Sequence, residues 1–477
     1  MVTARVSRHD FLRLGLRTAM AGGMISILAA CSSAAPAAPT TAPSTGGAAP
    51  TPAPKPTTAA AAPTAAAQSN AQSGGKTTLT LFGANGLSTQ EIDYWKANVI
   101  KPYEQANANI SINFVNADTN KLLVDLAGNL PPDVIDIETK NLASFAMRGA
   151  MADVTSRVMT SKVNKEDYSG PDIEKVIFNG KWYGIPWDTA PAVLYYNKKI
   201  FDSAGVTYPT QKWGDSAWTW DSFLAMCHKL TSGSGPAQVF GFGPTNWWVY
   251  WMPWVWENGA DFNDSTGQKI TITDPGFQEA FTFYANLISK EKVGPSPAQS
   301  SIGVDQMFFT GKIGMFSSGS YFSVGLDKEM GTEWDVAAYP MNKKVATRSP
   351  ADCHALAKAG KNQDAAWDMV LWLTGETGQT AYAQGGYTPV LKSVLATDAF
   401  LQKSGHVNRQ VLADPLIMGI THHTAEPIIY PQVNNLFTTP MNNLLRGSTT
   451  VEQLVTSLQP QIQKLLDAVP QEWQGVA

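Results

Sequence analysis

The sequence NGKWYGIPWDTAPAVLYYNK, residues 179–198, lies near the middle of the chain, where a second region begins. Before it, from Thr77 onward, short apolar runs alternate with amphipathic segments, a pattern that predicts strands and helices in turn. Within this first region, Leu130–Ile137 (LPPDVIDI) predicts a buried parallel strand. Strands that alternate with helices indicate an α/β sheet with crossover connections.

The second region also carries helical patterns. One helix is predicted from Thr219 to Leu230 and another from Phe277 to Lys290. The second of these follows Asp274-Pro275, and proline is tolerated where a helix begins. Later helices are predicted near residues 363–374 and 450–469.

The chain begins with a pattern typical of a secretory signal, residues 1–30. A basic start precedes a largely apolar stretch from Thr18 to Ala30, which is too short to span a bilayer permanently. Leu28-Ala29-Ala30-Cys31 resembles a bacterial lipobox, which implies lipidation of Cys31 and a membrane-anchored protein outside the cytoplasm. An ordinary signal cleaved nearby is the alternative. Residues 7–13 resemble a twin-arginine export signal except at His9, so either export route is open.

Residues 31–75 follow as a predicted disordered tether. After Cys31 this segment is almost entirely Ala, Pro, Thr, Ser and Gly, and Lys55 is its only charged residue. It has no hydrophobic periodicity that could offset the entropy of folding. Its prolines favour an extended spacer with a reach on the order of 100 Å.

Charge and cysteine content exclude several classes of protein. The formal charge of −4 becomes about −7 once residues 1–30 are removed, which argues against a nucleic-acid partner. Cys227 and Cys353 are expected as buried free thiols, although one disulfide is arithmetically possible. No phosphate-binding loop and no convincing metal motif occurs, so neither a cofactor nor a metal is expected.

Tryptophan is concentrated in one part of the chain. Ten of the 15 tryptophans lie between residues 182 and 256, and five of them fall in residues 247–256. Sugar rings stack on aromatic planes through their C–H faces, so two or three of these five indoles are expected to touch a carbohydrate. Two alternatives remain: most of the cluster is core, or the rings form an aromatic cage for a quaternary ammonium compound.

An ordered series of motifs resembles the extracellular solute-binding proteins of ABC sugar importers, the family that includes maltose-binding protein. The series covers nearly all of residues 77–470, and its most diagnostic part is residues 179–198. The other segments that carry the resemblance are LPPDVI (130–135), MRGAMADV (147–154), FFTGKIGMFSSGSYF (308–322), GGYTPV (385–390) and LRG to TVE (445–452).

This resemblance implies an α/β fold of two lobes, similar to periplasmic binding proteins, with three interlobe crossings and a central ligand cleft. By position, residues 76–187 and 353–386 would form lobe 1, and residues 191–350 and 390–477 would form lobe 2. Hinge closure around the ligand is the expected motion. The expected partners are a sugar or oligosaccharide, the permease subunits of an ABC transporter, and the membrane through Cys31; the protein itself is expected as a monomer.

Ligand-binding residues follow from the same resemblance. Ala84 and Asn85 replace the basic and acidic residues of the family's first turn, which argues against maltose itself. The candidates are Asn85, Glu138, Trp187, Asp188, Asn246, Trp247, Trp248, Ser318, Tyr321, Tyr387 and Tyr430.

Two other functions compete with a transport receptor. A secreted glycoside hydrolase needs two carboxylates across a sugar site, for which Asp188 and Glu257 are the best pair. No catalytic residue is predicted, because nothing in the sequence shows that these two face each other. A surface adhesin would bind carbohydrate through exposed loops without closing.

Overall fold

Two large β-sheets organise the computed structural model, which describes residues 76–324, 326–422 and 429–473. A third, two-stranded sheet pairs Ile177–Phe178 with Lys181–Trp182. The strands are β1 (Thr77–Gly83), β2 (Ile110–Asn116), β3 (Val134–Glu138), β4 (Ile177–Phe178), β5 (Lys181–Trp182), β6 (Ile185–Thr189), β7 (Val193–Asn197), β8 (Phe240–Gly243), β9 (Ile313–Ser318), β10 (Trp334–Ala337), β11 (Ala351–Leu356) and β12 (Thr388–Pro389).

Helices cover and connect these sheets. They are α1 (Thr89–Trp95), α2 (Lys101–Ala106), α3 (Thr119–Ala127), α4 (Thr139–Met147), α5 (Thr155–Met159), α6 (Lys198–Ala204), α7 (Trp220–Leu230), α8 (Trp248–Glu257), α9 (Pro275–Ser289), α10 (Val304–Phe309), α11 (Leu326–Met330), α12 (Gln363–Thr374), α13 (Glu376–Gly385), α14 (Lys392–Leu395), α15 (Asp398–Leu401), α16 (Gln410–Ile417), α17 (Tyr430–Leu445) and α18 (Val451–Asp467). None of these described helices is both long enough and apolar enough to cross a membrane.

The first sheet has six strands in the order β12-β6-β11-β3-β1-β2. β1 pairs in parallel with both β2 and β3, as the alternating pattern predicts, whereas β11 runs antiparallel to β3 and β6. The strand predicted over residues 130–137 begins only at Val134. Pro131 and Pro132 precede it and cannot donate a backbone hydrogen bond to a neighbouring strand.

The second sheet has four strands in the order β10-β7-β9-β8. β8 and β9 are parallel, and β7 runs antiparallel to β9 and β10. The central sequence stretch supplies β6 to the first sheet and β7 to the second, so the boundary that it marks is the passage between the sheets.

Two passages between the sheets run side by side. Residues 190–192 connect β6 to β7, and the segment before β11 returns to the first sheet. The two are hydrogen-bonded: the amides of Ala190 and Ala192 donate to the carbonyls of Pro350 and Arg348, each at 2.8 Å.

The chain leaves the first sheet for the last time after β12. Helices α14 and α15 still pack against α13, on the first-sheet side. Farther along, the Ser404 hydroxyl donates to Asp327 of α11, on the other side. The expected lobe 2 segment therefore begins with two helices that pack against the first-sheet side. The lobe boundaries themselves stay a prediction.

The predicted helices are confirmed to within two residues at their ends. Thr219 and Thr450 each cap the first turn of the following helix through the side-chain oxygen. Pro275 occupies the first position of α9. Both Cys227 and Cys353 are buried free thiols, as expected from their apolar surroundings.

Most of the clustered tryptophans form core. Trp248, Trp251, Trp254 and Trp256 lie on α8 and are at most 2% exposed. Trp251 packs edge-on against Phe281, with ring centroids 4.6 Å apart. The Nε1 atoms of Trp251 and Trp254 are shielded from solvent and have no hydrogen-bond partner among the described residues. Trp251 and Trp254 therefore stabilise the fold by volume and apolar area and not through their polar N–H groups, whereas the Trp256 Nε1 atom donates to Asp261 at 3.1 Å.

Substitution of Trp251 separates the two contributions of its side chain. Trp251→Ala removes a fully buried ring and is expected to lower the free energy of unfolding by about 3–5 kcal/mol. Trp251→Phe keeps most of the ring and removes the unpartnered N–H, so a change of less than about 1 kcal/mol is expected. Urea unfolding measures both, with Ile417→Ala, at a position 64% exposed, as the neutral control. A loss in Trp251→Phe as large as that in Trp251→Ala would contradict this expectation.

Candidate functional site

One edge of the first sheet carries a group of polar side chains, which we call the first wall: Asn85, Glu138, Asp188 and Asp352. Asn85 follows β1, Glu138 ends β3, and Asp188 lies near the end of β6. Asp352 lies at the start of β11, which runs in the opposite direction. All four meet at one edge because the ends of β1, β3 and β6 and the start of β11 coincide there.

The second sheet presents a matching edge, which we call the second wall: Asn246, Trp247, Ser318 and Tyr321. Asn246 and Trp247 follow β8, Ser318 is the last residue of β9, and Tyr321 follows shortly after. β8 and β9 are parallel, so their carboxyl ends lie on the same side.

Lys140, in the first turn of α4, joins the two walls. Its ammonium nitrogen is 2.5 Å from a carboxylate oxygen of Glu138 on the first wall. The same nitrogen lies 5.6 Å from the centroid of the Trp247 ring on the second wall. Helices α4 and α17 are also in contact. The two walls therefore face each other, and the space between them is the candidate ligand cleft.

Trp247 differs from the tryptophans that follow it. It is the N-cap residue of α8, outside the helix, and it is half-buried. Its ring meets Tyr250 edge-on, at 5.1 Å between centroids. Trp248 is 1% exposed and packs against Phe262 at 4.9 Å, so it offers no face to a ligand in this conformation. The described indoles of residues 247–256 thus place one ring at the cleft, where two or three were expected.

Two tyrosine hydroxyls are hydrogen-bonded at the base of the second wall. The Tyr250 and Tyr321 hydroxyls are hydrogen-bonded to each other, and Tyr250 is 3.4 Å from the Ser318 hydroxyl. Tyr321 is half-buried, whereas Ser318 is 3% exposed. Burial raises the pKa of Tyr321 well above its ordinary value, so the phenol remains a neutral hydrogen-bonding group.

Trp187 lies beneath the first wall and is 1% exposed. Its Nε1 donates to Asp136 at 2.7 Å, and its ring stacks on His354 at 5.7 Å between centroids. Asp136 also accepts from the Asn85 amide at 3.2 Å. Trp187 therefore supports the wall from below, through Asp136, and a direct ligand contact for it stays a prediction.

Burial and mutual repulsion raise the pKa values of three aspartates in or beneath the first wall. Burial raises the pKa of Asp136 to about 7, although its hydrogen bonds from Trp187 and Asn85 act in the opposite direction. Asp188 is 5% exposed, and burial together with the Asp136 charge raises its pKa well above the usual range. Burial and the Asp188 charge do the same for Asp352. By contrast, burial lowers the pKa of His354 to about 3, so this ring is neutral.

The remaining candidates differ in their surroundings. The Asn246 amide donates to Asn442 at 3.0 Å and is half-buried. Tyr387 is 3% exposed, and its hydroxyl donates to Glu91 and accepts from Trp95. Tyr430 begins α17 and its side chain, like Cys31, lies outside what the structure describes.

The structure adds residues that the sequence interpretation missed: Asp136, Lys140, Tyr250 and Asp352. Asp136 and Glu138 are two apart on one strand and so share a face, a signal that was available in DVIDI. Asp352 has no such local signal, because its neighbours in the cleft come from β3 and β6.

The suggested hydrolase pair does not assemble. Glu257 ends α8, is 1% exposed, and accepts a hydrogen bond from Trp220 at 2.9 Å. The charges that act on Asp188 come from Asp136, Asp172 and Glu138 and do not include Glu257. The described residues also contain no group of His, Cys, Asp and Glu side chains arranged to hold a metal ion.

Two cavities lie away from the cleft. One, of about 470 Å³, is bordered by Tyr168, Lys392 and Met418, and the other, of about 640 Å³, by Ile200, Leu230 and Phe309. Neither includes a residue of either wall. We assign the site to the cleft because aromatic and polar side chains from both sheets converge there.

Comparison with known proteins identifies the family. A family model described as bacterial extracellular solute-binding protein matches residues 98–408, which is more than half of the chain. This chain belongs to the bacterial extracellular solute-binding proteins. The membership confirms the resemblance found in the sequence. It also places the protein among binding proteins and not among enzymes, and it implies a location outside the cytoplasm.

Individual relatives of this solute-binding protein are distant in sequence. A binding protein of Brucella abortus is 26% identical over 325 residues, which cover 64% of this chain and 75% of the relative. The diacetylchitobiose-binding protein of Streptomyces coelicolor is 25% identical over 244 residues, covering 50% of this chain and 54% of the relative.

The solved structures confirm the two-lobe fold. An ABC substrate-binding protein of Listeria monocytogenes, solved in complex with cycloalternan, superposes with a TM-score of 0.72 at 21% identity. The alignment covers 82% of this chain and 99% of that one.

The raised pKa of Asp136 makes the stability of this solute-binding protein depend on pH. Its ordinary pKa of 3.8 rises to about 7 in the fold, so the folded state binds the extra proton between these values. Stability is therefore expected to fall as the pH rises from about 4 to about 7, by up to about 1.4 kcal/mol per pH unit from this group. Asp136→Asn removes that contribution while keeping the shape of the side chain.

Urea unfolding at several pH values measures the difference in slope between the native protein and Asp136→Asn. Asp368→Asn, the same chemical change at an exposed position on α12, is the control and should leave the slope unchanged. Equal slopes in the native protein and in Asp136→Asn would contradict the buried-proton assignment.

Proposed function

We propose that this protein captures a sugar or oligosaccharide in the cleft by hinge closure and delivers it to the permease of an ABC transporter. One observation carries the proposal. The half-buried indole of Trp247 faces, across the cleft, a wall whose side chains are carboxylates and an amide.

This combination suits the two kinds of surface on a sugar. The C–H face of a pyranose packs on an indole, with about 1 kcal/mol gained beyond the area buried, by analogy with aromatic pairs. The ring hydroxyls are donors, and the carboxylates of Glu138, Asp188 and Asp352 are acceptors. The Glu138 carboxylate, which is paired with the Lys140 ammonium, can accept charge-assisted hydrogen bonds, and these are stronger than those between neutral groups.

The proposed closure uses the paired passages between the sheets. The chain has two adjacent links at residues 190–192 and 348–350, which are joined by backbone hydrogen bonds. We propose that they act as the hinge between lobe 1, residues 76–187 and 353–386, and lobe 2, residues 191–350 and 390–477. Rotation about such short links moves whole lobes and leaves each sheet intact.

The relatives support a carbohydrate ligand. The Streptomyces coelicolor protein binds diacetylchitobiose, and the Listeria monocytogenes protein was solved with cycloalternan. Both are carbohydrates, and both proteins share the family or fold with this chain.

Small-angle X-ray scattering with a panel of mono- and oligosaccharides tests the receptor function. A sugar that binds is expected to reduce the radius of gyration, because closure brings the lobes together. A carbohydrate-binding adhesin would bind without contraction, and a glycoside hydrolase would release new reducing ends from oligosaccharides. If none of the sugars binds, or if binding leaves the radius unchanged, the proposed function is refuted.

Trp247→Ala tests the indole that carries the proposal. We expect at least about a tenfold loss of affinity for the sugar that causes contraction, equivalent to about 1.4 kcal/mol, measured by isothermal titration calorimetry. The matched control is Trp372→Ala, which removes another half-buried indole that packs against Tyr103, away from both walls. An unchanged affinity in Trp247→Ala would overturn the stacking role.

A quaternary ammonium ligand fits the described rings less well. An aromatic cage needs several faces around one cation. Among the described side chains of the second wall, the half-buried rings are those of Trp247 and Tyr321, and the Tyr321 hydroxyl is engaged with Tyr250. Betaine and choline are therefore included in the binding panel. If one of them contracts the protein and no sugar does, a quaternary ammonium ligand is favoured.

The anchor proposed from the sequence is a lipid on Cys31, the residue after the apolar leader. Several acyl chains on one cysteine hold a protein firmly at a membrane. Cys31→Ser is therefore expected to move the protein from the membrane fraction to the soluble fraction of cells that express the full chain. Ser33→Ala is the control, and mass spectrometry of the N-terminal peptide detects the lipid directly. Retention of Cys31→Ser in the membrane would contradict the anchor.

A further inference from the structure

Three acidic residues stand side by side across the first sheet, which we call the carboxylate row: Glu138, Asp352 and Asp188. In the strand register, Asp352 lies directly opposite Glu138 of β3 on one side and directly opposite Asp188 of β6 on the other. Neighbouring strands are about 4.8 Å apart, so the row spans about 10 Å at the edge of the cleft.

Such a row is unfavourable for the protein alone. Like charges directly opposite each other on neighbouring strands destabilise a sheet. One oxygen of Asp352, Oδ1, is shielded from solvent and has no hydrogen-bond partner among the described residues. Asp188 is 5% exposed, and its Oδ1 atom accepts a hydrogen bond from the backbone amide of Asp352 at 3.3 Å. Much of the row's capacity to accept hydrogen bonds is therefore left for a molecule that enters the cleft.

The cleft already holds one ammonium group. Lys140 places its charged nitrogen between the Glu138 carboxylate and the indole face of Trp247. A carboxylate together with an aromatic face is the chemistry that recognises an organic cation. Lys140 is paired with Glu138 and its charge also acts on Asp352, whereas no cation is among the charges of described residues that act on Asp188, so the Asp188 end of the row is where a second cation would fit.

We propose that the carboxylate row selects a saccharide that carries a protonated amine. This inference rests on the proposed function, because it names the class of sugar that the cleft prefers. The amine would lie beside Asp352 and Asp188, while the apolar face of a sugar ring packs on Trp247. A sugar with a carboxylate or phosphate group would meet repulsion at the same place.

The charges around the row support this preference. Asp188 experiences the charges of Asp136, Asp172 and Glu138, and Asp352 experiences those of Asp188, Asp136, Glu138 and Lys140. Carboxylates outnumber cations among these groups, and burial together with repulsion between the carboxylates raises the pKa values of Asp188 and Asp352. An entering ammonium would favour the ionised carboxylates, so binding of an amino sugar near neutral pH should release protons.

Calorimetry of the full chain with matched disaccharides tests the proposal. Chitosan disaccharide, cellobiose and diacetylchitobiose share one linkage and differ in the amine, hydroxyl or acetamide on each ring. Glucosamine and its positional isomers, compared with glucose, cover other placements of the amine. At pH 7 we expect at least one amine to bind about tenfold or more tightly than its hydroxyl counterpart. Its binding enthalpy should also vary with the ionisation enthalpy of the buffer, which reports proton release.

Asp352→Asn is the decisive variant. It keeps the shape of the side chain and removes one charge from the row, so the ratio of amine to hydroxyl affinity should fall to within about threefold. Asp368→Asn on the exposed face of α12 makes the same chemical change outside the cleft and should leave the ratio unchanged.

The possible failures are distinct. If neutral sugars bind and contract the protein but no amine is preferred, only the amine selectivity is overturned. The same holds if Asp352→Asn leaves the ratio unchanged, or if calcium alone binds to the row. If no sugar of any charge binds, the proposed function fails together with this inference.

Discussion

The pairing of two short backbone links is the constraint on which the rest of this structure depends. Ala190 and Ala192 donate to the carbonyls of Pro350 and Arg348, so the chain's first two passages between the sheets lie side by side. The amides of Ala190 and Ala192 and the carbonyls of Arg348 and Pro350 are thereby satisfied by one another. Because both links leave the sheets at the same edge, that edge of each sheet faces the other, and the strand ends become the walls of a cleft.

Strand direction then decides which side chains meet. β1, β3 and β6 end at the cleft, and β11 begins there, so residues that are far apart in sequence, such as Glu138 and Asp352, become neighbours. This arrangement is electrostatically unfavourable for the carboxyl groups that it brings together. Asp136, Asp188 and Asp352 lie close together in buried surroundings. Burial and their mutual repulsion raise their pKa values, so the protonated, neutral form is favoured more than it is in water. Strongly shifted pKa values of this kind are characteristic of binding and catalytic sites.

The aromatic residues divide between stability and recognition according to one position. Trp248, Trp251, Trp254 and Trp256 point into the core from α8, whereas Trp247 precedes the helix and remains half-buried beside the cleft. The helix boundary thus separates the indole that we propose as the ligand contact from the indoles buried in the core. Trp187 shows a third role: its ring is core, but its N–H group orients Asp136, which in turn holds the amide of Asn85 at the first wall.

The sequence by itself determined the α/β class, the family, the helix starts at Thr219, Pro275 and Thr450, and the free state of both buried cysteines. These features depend on local patterns: hydrophobic periodicity, capping residues and an ordered series of motifs. It also identified Trp247 and Glu138 as candidates for the site. Only the tertiary structure placed Trp248 in the core, assembled the carboxylate row from β3, β11 and β6, and set Lys140 between the two walls. Burial and cross-strand register depend on partners that are distant in sequence, so no local pattern encodes them.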